Sequence, residues 1–258
     1  MNHIYQHFRP EERQFIEKVQ EWKDQAEANY APKLTDFLDP REQDIVQSVA
    51  GAGEEVLLQF SGGGDSAERK RALFYPSYLE PRQDDFHLSF LEVRYPAKFV
   101  SLDHRNVLGA LMSLGLKRPK FGDILVGSES VQIIAAKEAE DYIMMNLTEI
   151  GRSKVSVRKI EMTDIVQQQS EEETFSATVS SLRIDAVAAA VYKQSRQKIQ
   201  PYISNGLVKV NWRIVDQNSF ECREGDTISV RGFGRSKLTA IDGKTKKDKW
   251  RITVAKQK

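Results

Sequence analysis

Residues 181–211 read SLRIDAVAAAVYKQSRQKIQPYISNGLVKVN, and the spacing within them decides the C-terminal fold. Ile184, Val187, Ala188 and Val191 share one face at helical spacing. Ser195 is a favoured N-cap type. It opens a second helix that carries Ile199, Tyr202 and Ile203 inward and stops at Gly206. The period then drops from 3.6 to 2 at Leu207-Val208-Lys209-Val210, which predicts a strand. Further strands are expected at residues 227–230, behind a Glu224-Gly225-Asp226 turn, and at 250–254. Two short helices on a small twisted sheet make an α+β module over residues 180–258.

Upstream, residues 81–162 alternate strand and helix patterns. Phe86 to Arg94 reads as a strand, and Asn106 to Leu114 as an amphipathic helix ending at Gly115, with Asp103 as its cap. Ile124-Leu125-Val126 and Val131 to Ala135 form a hairpin around Gly127-Ser128-Glu129-Ser130. Lys137 to Ile150 reads as a helix with Ala139, Tyr142, Ile143, Leu147 and Ile150 inward, and Val155 to Ile160 as a last strand. The order βαββαβ predicts a ferredoxin-like domain, a four-stranded sheet backed by two helices.

Residues 1–80 read as a helical subdomain with a short strand. Phe15, Val19, Trp22 and Ala26 mark one helix, and Asp39-Pro40-Arg41-Glu42 is a capping box with proline at the first helical position. Val56 to Phe60 is the strand, Ser61-Gly62-Gly63-Gly64-Asp65 a turn, and Ser66 is expected to cap a further helix through Arg69 and Leu73. Residues 163–179, which include Gln167-Gln168-Gln169-Ser170-Glu171-Glu172-Glu173, read as an acidic linker. The whole is α+β.

Charge divides at the same place. The 258 residues hold 38 Lys and Arg against 37 Asp and Glu, a net of +1. Residues 180–258 alone hold 17 against 7, a net of +10, and residues 1–179 the remaining 21 against 30, a net of −9. A basic module behind an acidic front points to a polyanion partner. Ten of the basic residues lie between Arg183 and Lys237, in sequence with the periodicity of a fold rather than of a tail.

Other classes find little support. No apolar run reaches the roughly 18–20 residues of a membrane span. Met1 to Tyr5 carries no basic-then-apolar signal pattern, and the single Cys222 fits a reducing cytoplasm. Gly62-Gly63-Gly64-Asp65-Ser66 lacks the Gly-Lys-Ser/Thr of a phosphate loop, and Asp65 would repel phosphate. The four histidines do not cluster with Cys222 at metal-ligand spacing. The expectation is a cytoplasmic monomer, not an enzyme, with no metal and no cofactor.

The C-terminal residues resemble a known family. Leu182-Arg183-Ile184-Asp185, Ser195-Arg196, Gly206-Leu207-Val208-Lys209-Val210-Asn211 and Gly225-Asp226-Thr227 look like the S-four RNA-binding domain, named for ribosomal small-subunit protein four. Trp212 stands where that family commonly has glycine, and Ile199 where a small residue is usual. Asp103-His104-Arg105-Asn106-Val107-Leu108-Gly109 and Gly115-Leu116-Lys117-Arg118-Pro119-Lys120-Phe121-Gly122-Asp123 resemble the central block of the YlmH family. These bacterial proteins place an RNA-recognition-like domain before a C-terminal S-four domain. The resemblance implies binding to structured RNA, rRNA or tRNA, on the large ribosomal subunit, and in some relatives a part in rescuing stalled ribosomes. Two alternatives stay open: a division-linked scaffold binding proteins through its acidic half, and an RNA-modifying enzyme related to pseudouridine synthases.

On this reading the RNA contacts are Arg183, Ser195, Arg196, Lys198, Lys209, Asn211, Arg213, Arg231, Phe233, Arg235 and Lys237. A helix N-terminus at Ser195 offers backbone N–H groups and a positive dipole end to a phosphate. Arg183 and Asp185 read equally as a structural pair. Phe233, between glycines, reads either as a stacking ring or as core. Arg105, Lys117, Arg118 and Lys120 form a second basic spot, either an RNA contact or a solvated helix end. The middle sheet lacks the aromatic strand motifs that stack bases, which leaves that domain a spacer or a protein-contact surface.

Overall fold

The computed structural model describes residues 8, 10–51, 53–166 and 172–257. The chain divides into two units, Met1–Gln168 and Gln169–Lys258.

In the first unit, a single 3-10 turn at Pro10–Glu12 leads into α1 (Arg13–Asn29), which buries Ile16, Val19, Trp22 and Ala26. Strand β1 (Lys33–Leu38) precedes α2 (Pro40–Ala50). The capping box forms as its residues foretell: the Glu42 N–H donates to Asp39 Oδ1 at 2.9 Å, and the Asp39 N–H to Glu42 Oε2 at 2.7 Å. Strands β2 (Val56–Ser61) and β3 (Lys70–Pro76) then complete an antiparallel sheet of order β1-β3-β2. The first eighty residues are therefore two helices on a three-stranded sheet, not a helical subdomain with one strand. The helix expected from Ser66 is strand β3. Lys70 to Tyr75 reads acceptably as a helix in isolation, but β3 lies between two partners and buries Ala72, Leu73 and Phe74, so pairing on both edges overrides local preference.

The same unit continues with β4 (Leu88–Arg94), α3 (His104–Ser113), β5 (Phe121–Val126), β6 (Ser130–Ala136), α4 (Glu140–Asn146), a small hairpin of β7 (Glu149–Ile150) and β8 (Ser153–Lys154), and β9 (Ser156–Lys159). The four long strands order β5-β6-β4-β9, all antiparallel, the ferredoxin-like arrangement expected. Asp103 caps α3, accepting from the Asn106 N–H at 2.7 Å. The second helix is shorter than its sequence pattern. A 3-10 turn at Lys137–Ala139 opens it, and β7 takes its expected last residues. Ala139, Ile143, Leu147 and Ile150 are buried as foreseen, whereas Tyr142 is exposed.

One face of this sheet packs on α3 and α4 through Leu91, Val93, Val107, Leu111, Ile133 and Ile143. The other face is covered by the first eighty residues. Phe37 packs with Ile134 and Ala136, with Leu88, Phe90 and Ile165 around them. The backbone of Gly63 lies against Phe90, close enough that a Cβ there would stand 2.5 Å from the ring. The Gln132 amide donates to the Asp164 carbonyl at 2.8 Å and accepts from the Val166 N–H at 2.7 Å, tying the chain after β9 across the same face.

The second unit has the sheet order β10-β15-β14-β13-β11-β12, antiparallel throughout, with two helices. Its elements are β10 (Glu172–Val179), α5 (Ile184–Val191), α6 (Arg196–Ser204), β11 (Val208–Val210), β12 (Arg213–Ile214), β13 (Thr227–Val230), β14 (Gly234–Lys244) and β15 (Trp250–Gln257). Two expectations change. Residues 172–179 of the supposed linker are a strand in register with β15 along its whole length, and Val179 is buried. Residues 167–171 lie outside the described residues. The supposed basic tail is the β14–β15 hairpin, whose Leu238, Ile252 and Val254 alternate into the core while Lys237 and Arg251 point outward.

Candidate nucleic-acid interface

The basic residues of the second unit fall on two faces. On the helical side, Arg183 is the N-cap residue of α5 and Arg196 the first residue of α6. Between them lies Asp185, with no exposed surface at all. Arg183 Nε and Nη2 each approach its carboxylate at 3.3 Å, and Arg196 Nη2 donates to Oδ2 at 2.7 Å. Gln200 adds a contact at 3.5 Å. Both arginine side chains stay more than two-fifths exposed, at 43% and 44%. Each guanidinium carries five donors, and Arg183 directs two and Arg196 one at Asp185. Burial alone would raise the Asp185 carboxyl, but the Arg196 hydrogen bond and the charges of Arg196 and Arg183 hold it below its ordinary range. A buried acid thus fixes two arginine forks, one at the start of α5 and one at the start of α6. Ser195 Oγ accepts from the Lys198 N–H at 3.2 Å, so Ser195 is a cap. Lys198 Nζ donates to Gln194 Oε1 at 3.3 Å, on the exposed side.

The second face is the solvent side of the sheet. Val208, Val210, Ile228 and Val230 point into the core, which turns the alternate residues outward. Lys209 pairs in register with Ser229 and Ser229 with Arg235, making one cross-strand row; Thr227 and Lys237 make the next. Arg231 is exposed at the end of β13, its N–H bonded to the Leu207 carbonyl at 3.0 Å. Asn211 serves the turn: its amide donates to Asp226 at 2.8 Å and accepts from the Thr227 N–H at 2.9 Å. Arg213 is exposed on the short edge strand β12.

Phe233 is partly buried and packs against the core. Its ring lies 5.8 Å from Tyr192 and 5.4 Å from Tyr202, edge-on to the latter, and the Tyr192 hydroxyl is anchored to the Ile228 carbonyl. The aromatic on the sheet side is Trp212, which the residue pattern marks only as a replacement for glycine. Arg235 lies 5.2 Å over its ring. An open pocket of about 340 Å³ lies among Gly206, Lys209, Trp212, Ser229, Arg231 and Arg235.

The basic spot of the first unit separates into two pairs. Arg105 and Lys117 are exposed. Arg118 turns inward and donates to the carbonyls of Phe121 at 2.8 Å and Gly122 at 3.2 Å. Burial, with Arg69 nearby, lowers it to about 10, so it remains charged at neutral pH. Lys120 bridges Asp36 at 2.6 Å and Glu138 at 3.0 Å, joining β1 to the start of the second helical segment. Arg118 and Lys120 therefore hold the unit together. The second sheet face of this unit is already occupied: its apolar centre is the packing surface for Phe37.

Burial pushes the Cys222 thiol up to about 12, with Asp226 and Asp185 adding to it. Among the described residues no three His, Cys, Asp or Glu side chains converge to hold a metal, and no helix is long and apolar enough to cross a membrane.

Comparison with known proteins agrees along the chain. Residues 11–79 match the family described as "YlmH, N-terminal", residues 81–164 "Putative RNA-binding domain in YlmH", and residues 182–228 the "S4 domain". The chain is 52% identical over all 258 residues, and over the full length of both, to "Ribosome-associated protein quality control protein P2" of Bacillus subtilis (strain 168). Among solved structures it resembles "Cell division protein ylmH from Streptococcus pneumoniae", with 32% identity and a TM-score of 0.56 over 63% of this chain and 99% of that one. The chain is a member of the YlmH family, carrying its N-terminal and central domains and a C-terminal S4 domain.

Proposed function

We propose that this protein is a non-catalytic RNA-binding protein of the cytoplasm that associates with the ribosome. It acts as a monomer, contacts rRNA or tRNA on the large subunit and takes part in clearing stalled ribosomes. The observation that carries the reading is the pair of arginine forks held over buried Asp185, Arg183 at the start of α5 and Arg196 at the start of α6. Preset guanidinium forks at a helix N-terminus suit phosphate oxygens in a bidentate way. Lys198 on the same side and the Lys209, Arg231 and Lys237 face add point charges that follow a backbone. The name of the Bacillus relative supports the ribosomal setting. Arg105 and Lys117 are a second contact in this reading.

The name of the Streptococcus neighbour favours a second reading, a division-linked scaffold. Sedimentation separates the two. The full chain should travel with large ribosomal subunits at low salt and leave them as salt rises. Neutralising about five phosphates gives a log–log slope of roughly −4 to −5. A protein that stays in the light fractions, or binding that ignores salt, would overturn the RNA reading in favour of the scaffold.

A further inference from the structure

Trp212 holds a backbone conformation that suits it poorly. Its φ is 62° and that of Asn211 is 49°, so both corners of the β11–β12 turn are left-handed. Asn tolerates this region, whereas tryptophan adopts it rarely. The turn itself is secured by the Asn211 side chain, and a glycine at 212 would hold the same backbone without strain. A strained position that carries a large, half-buried ring calls for a use of the ring.

The surroundings say which. The pocket that Trp212 lines has about 340 Å³, toward the lower end of the roughly 300–1,000 Å³ of small-molecule sites. Two flat surfaces meet in it, the indole and the Arg235 guanidinium, and both stack on nucleobases. The Ser229 hydroxyl both donates and accepts, as the edge of a neutral base requires. Lys209 and Arg231 supply cations for a phosphate. An acidic peptide would use the cations but would leave the strained indole without a purpose.

We propose that this pocket is a stacking subsite for one unpaired nucleotide of a bound RNA. The base lies against Trp212 and Arg235, with its phosphate near Lys209 and Arg231. This rests on the RNA-binding reading of the second unit. It adds an aromatic contact on the sheet side, apart from the arginine forks on the helical side.

The test uses the full chain labelled with ¹⁵N and follows the indole N–H resonance of Trp212, assigned by its loss in Trp212→Gly. The probes are an RNA hairpin with one bulged adenosine, the same hairpin fully paired, AMP, and hexaglutamate. The bulged hairpin should shift the Trp212 signal and bind more tightly than the paired one. Trp212→Gly should weaken bulged-hairpin binding by about 5- to 150-fold, the equivalent of about 1–3 kcal/mol per stacked base, while its melting temperature stays level or rises. Trp212→Phe, which keeps a ring on the same backbone, should retain most of the preference. Equal binding of the bulged hairpin by Trp212→Gly and the natural protein overturns the subsite and leaves RNA binding standing. A phenylalanine variant as weak as the glycine variant overturns stacking. If the natural protein binds neither hairpin, the RNA reading falls and the subsite with it. A Trp212 shift from AMP alone assigns the pocket to free nucleotides, and one from hexaglutamate to acidic peptides; either overturns the proposal.

Discussion

Asp185, wholly buried, accepts a 2.7 Å hydrogen bond from Nη2 of Arg196, a residue at the start of the next helix. This contact makes Arg196 a structural as well as a surface residue. Removing it leaves a buried carboxylate with Arg183 as its remaining cation. Truncating one member of a buried pair costs up to about 3–5 kcal/mol. Here the arginine side chain is 44% exposed and a second cation stays, so Arg196→Ala should destabilise the second unit by about 1–3 kcal/mol. Arg196→Glu should cost more, because it sets like charges against each other. Denaturant unfolding of the full chain checks this, and an unchanged transition would mean that solvent already neutralises Asp185.

The same pair predicts a pH dependence. The Asp185 carboxyl lies below its ordinary range in the folded chain and within that range in the unfolded one. The folded state therefore binds fewer protons. Its extra stability is complete above the ordinary aspartate value, about 3.9, and is lost as pH falls through the lowered one. The natural protein should be more stable than Asp185→Asn at neutral pH, and the gap should close below about pH 4. A gap that persists undiminished to pH 2 would show that the carboxylate charge is not what matters there.

Gly63 meets a different constraint. Its φ is +91° and a Cβ would stand 2.5 Å from Phe90 Cε1. Gly63→Ala combines left-handed strain, about 1 kcal/mol, with overpacking at about 1–3 kcal/mol. The first unit should lose about 2–4 kcal/mol, while Gly64→Ala, whose Cβ meets nothing within 4 Å, should be nearly neutral. Thermal melts of the two variants make the comparison, and equal melting temperatures would contradict the packing of this loop on Phe90.

Signals carried by neighbours in the chain were legible. Asp39 with Glu42, Asp103 with Asn106, and Ser195 before α6 act within one helical turn, so their residue types suffice to read them. What escaped depends on distant partners. Lys70 to Pro76 becomes a strand only because β1 and β2 lie on either side of it, and Glu172 to Val179 because β15 does. Arg183 with Asp185 suggested a pair, but the stronger partner is Arg196, supplied by the following helix. Trp212 showed only as a departure from glycine; its pocket needs strands β11, β13 and β14 in register.

Cys222 offers a probe of the second unit. Only 2% of it is exposed, and its thiol is raised to about 12, so almost no thiolate exists at neutral pH. Reaction with a disulfide reagent such as DTNB should be slow in the native chain and should quicken as denaturant opens the second unit. Arg196→Ala should speed it under native conditions, by about tenfold for each 1.4 kcal/mol of stability lost. A rapid stoichiometric reaction of the folded protein would contradict the burial.

Strand β10 sets where the second unit can be cut. Val179 is buried, Phe175 and Ala177 pack against the same core, and eight residues of β10 pair with β15. A fragment of residues 180–258, the boundary that charge alone suggests, strips that strand away. It bares the edge of β15, whose Ile252 and Val254 are buried in the intact unit. Unpaired apolar edges invite association. Residues 172–258 should therefore give a sharp melting transition and a monomeric elution volume, whereas 180–258 should melt lower and elute as aggregates. If both fragments melt and elute alike, β10 adds nothing to the unit and the charge boundary is also the folding boundary.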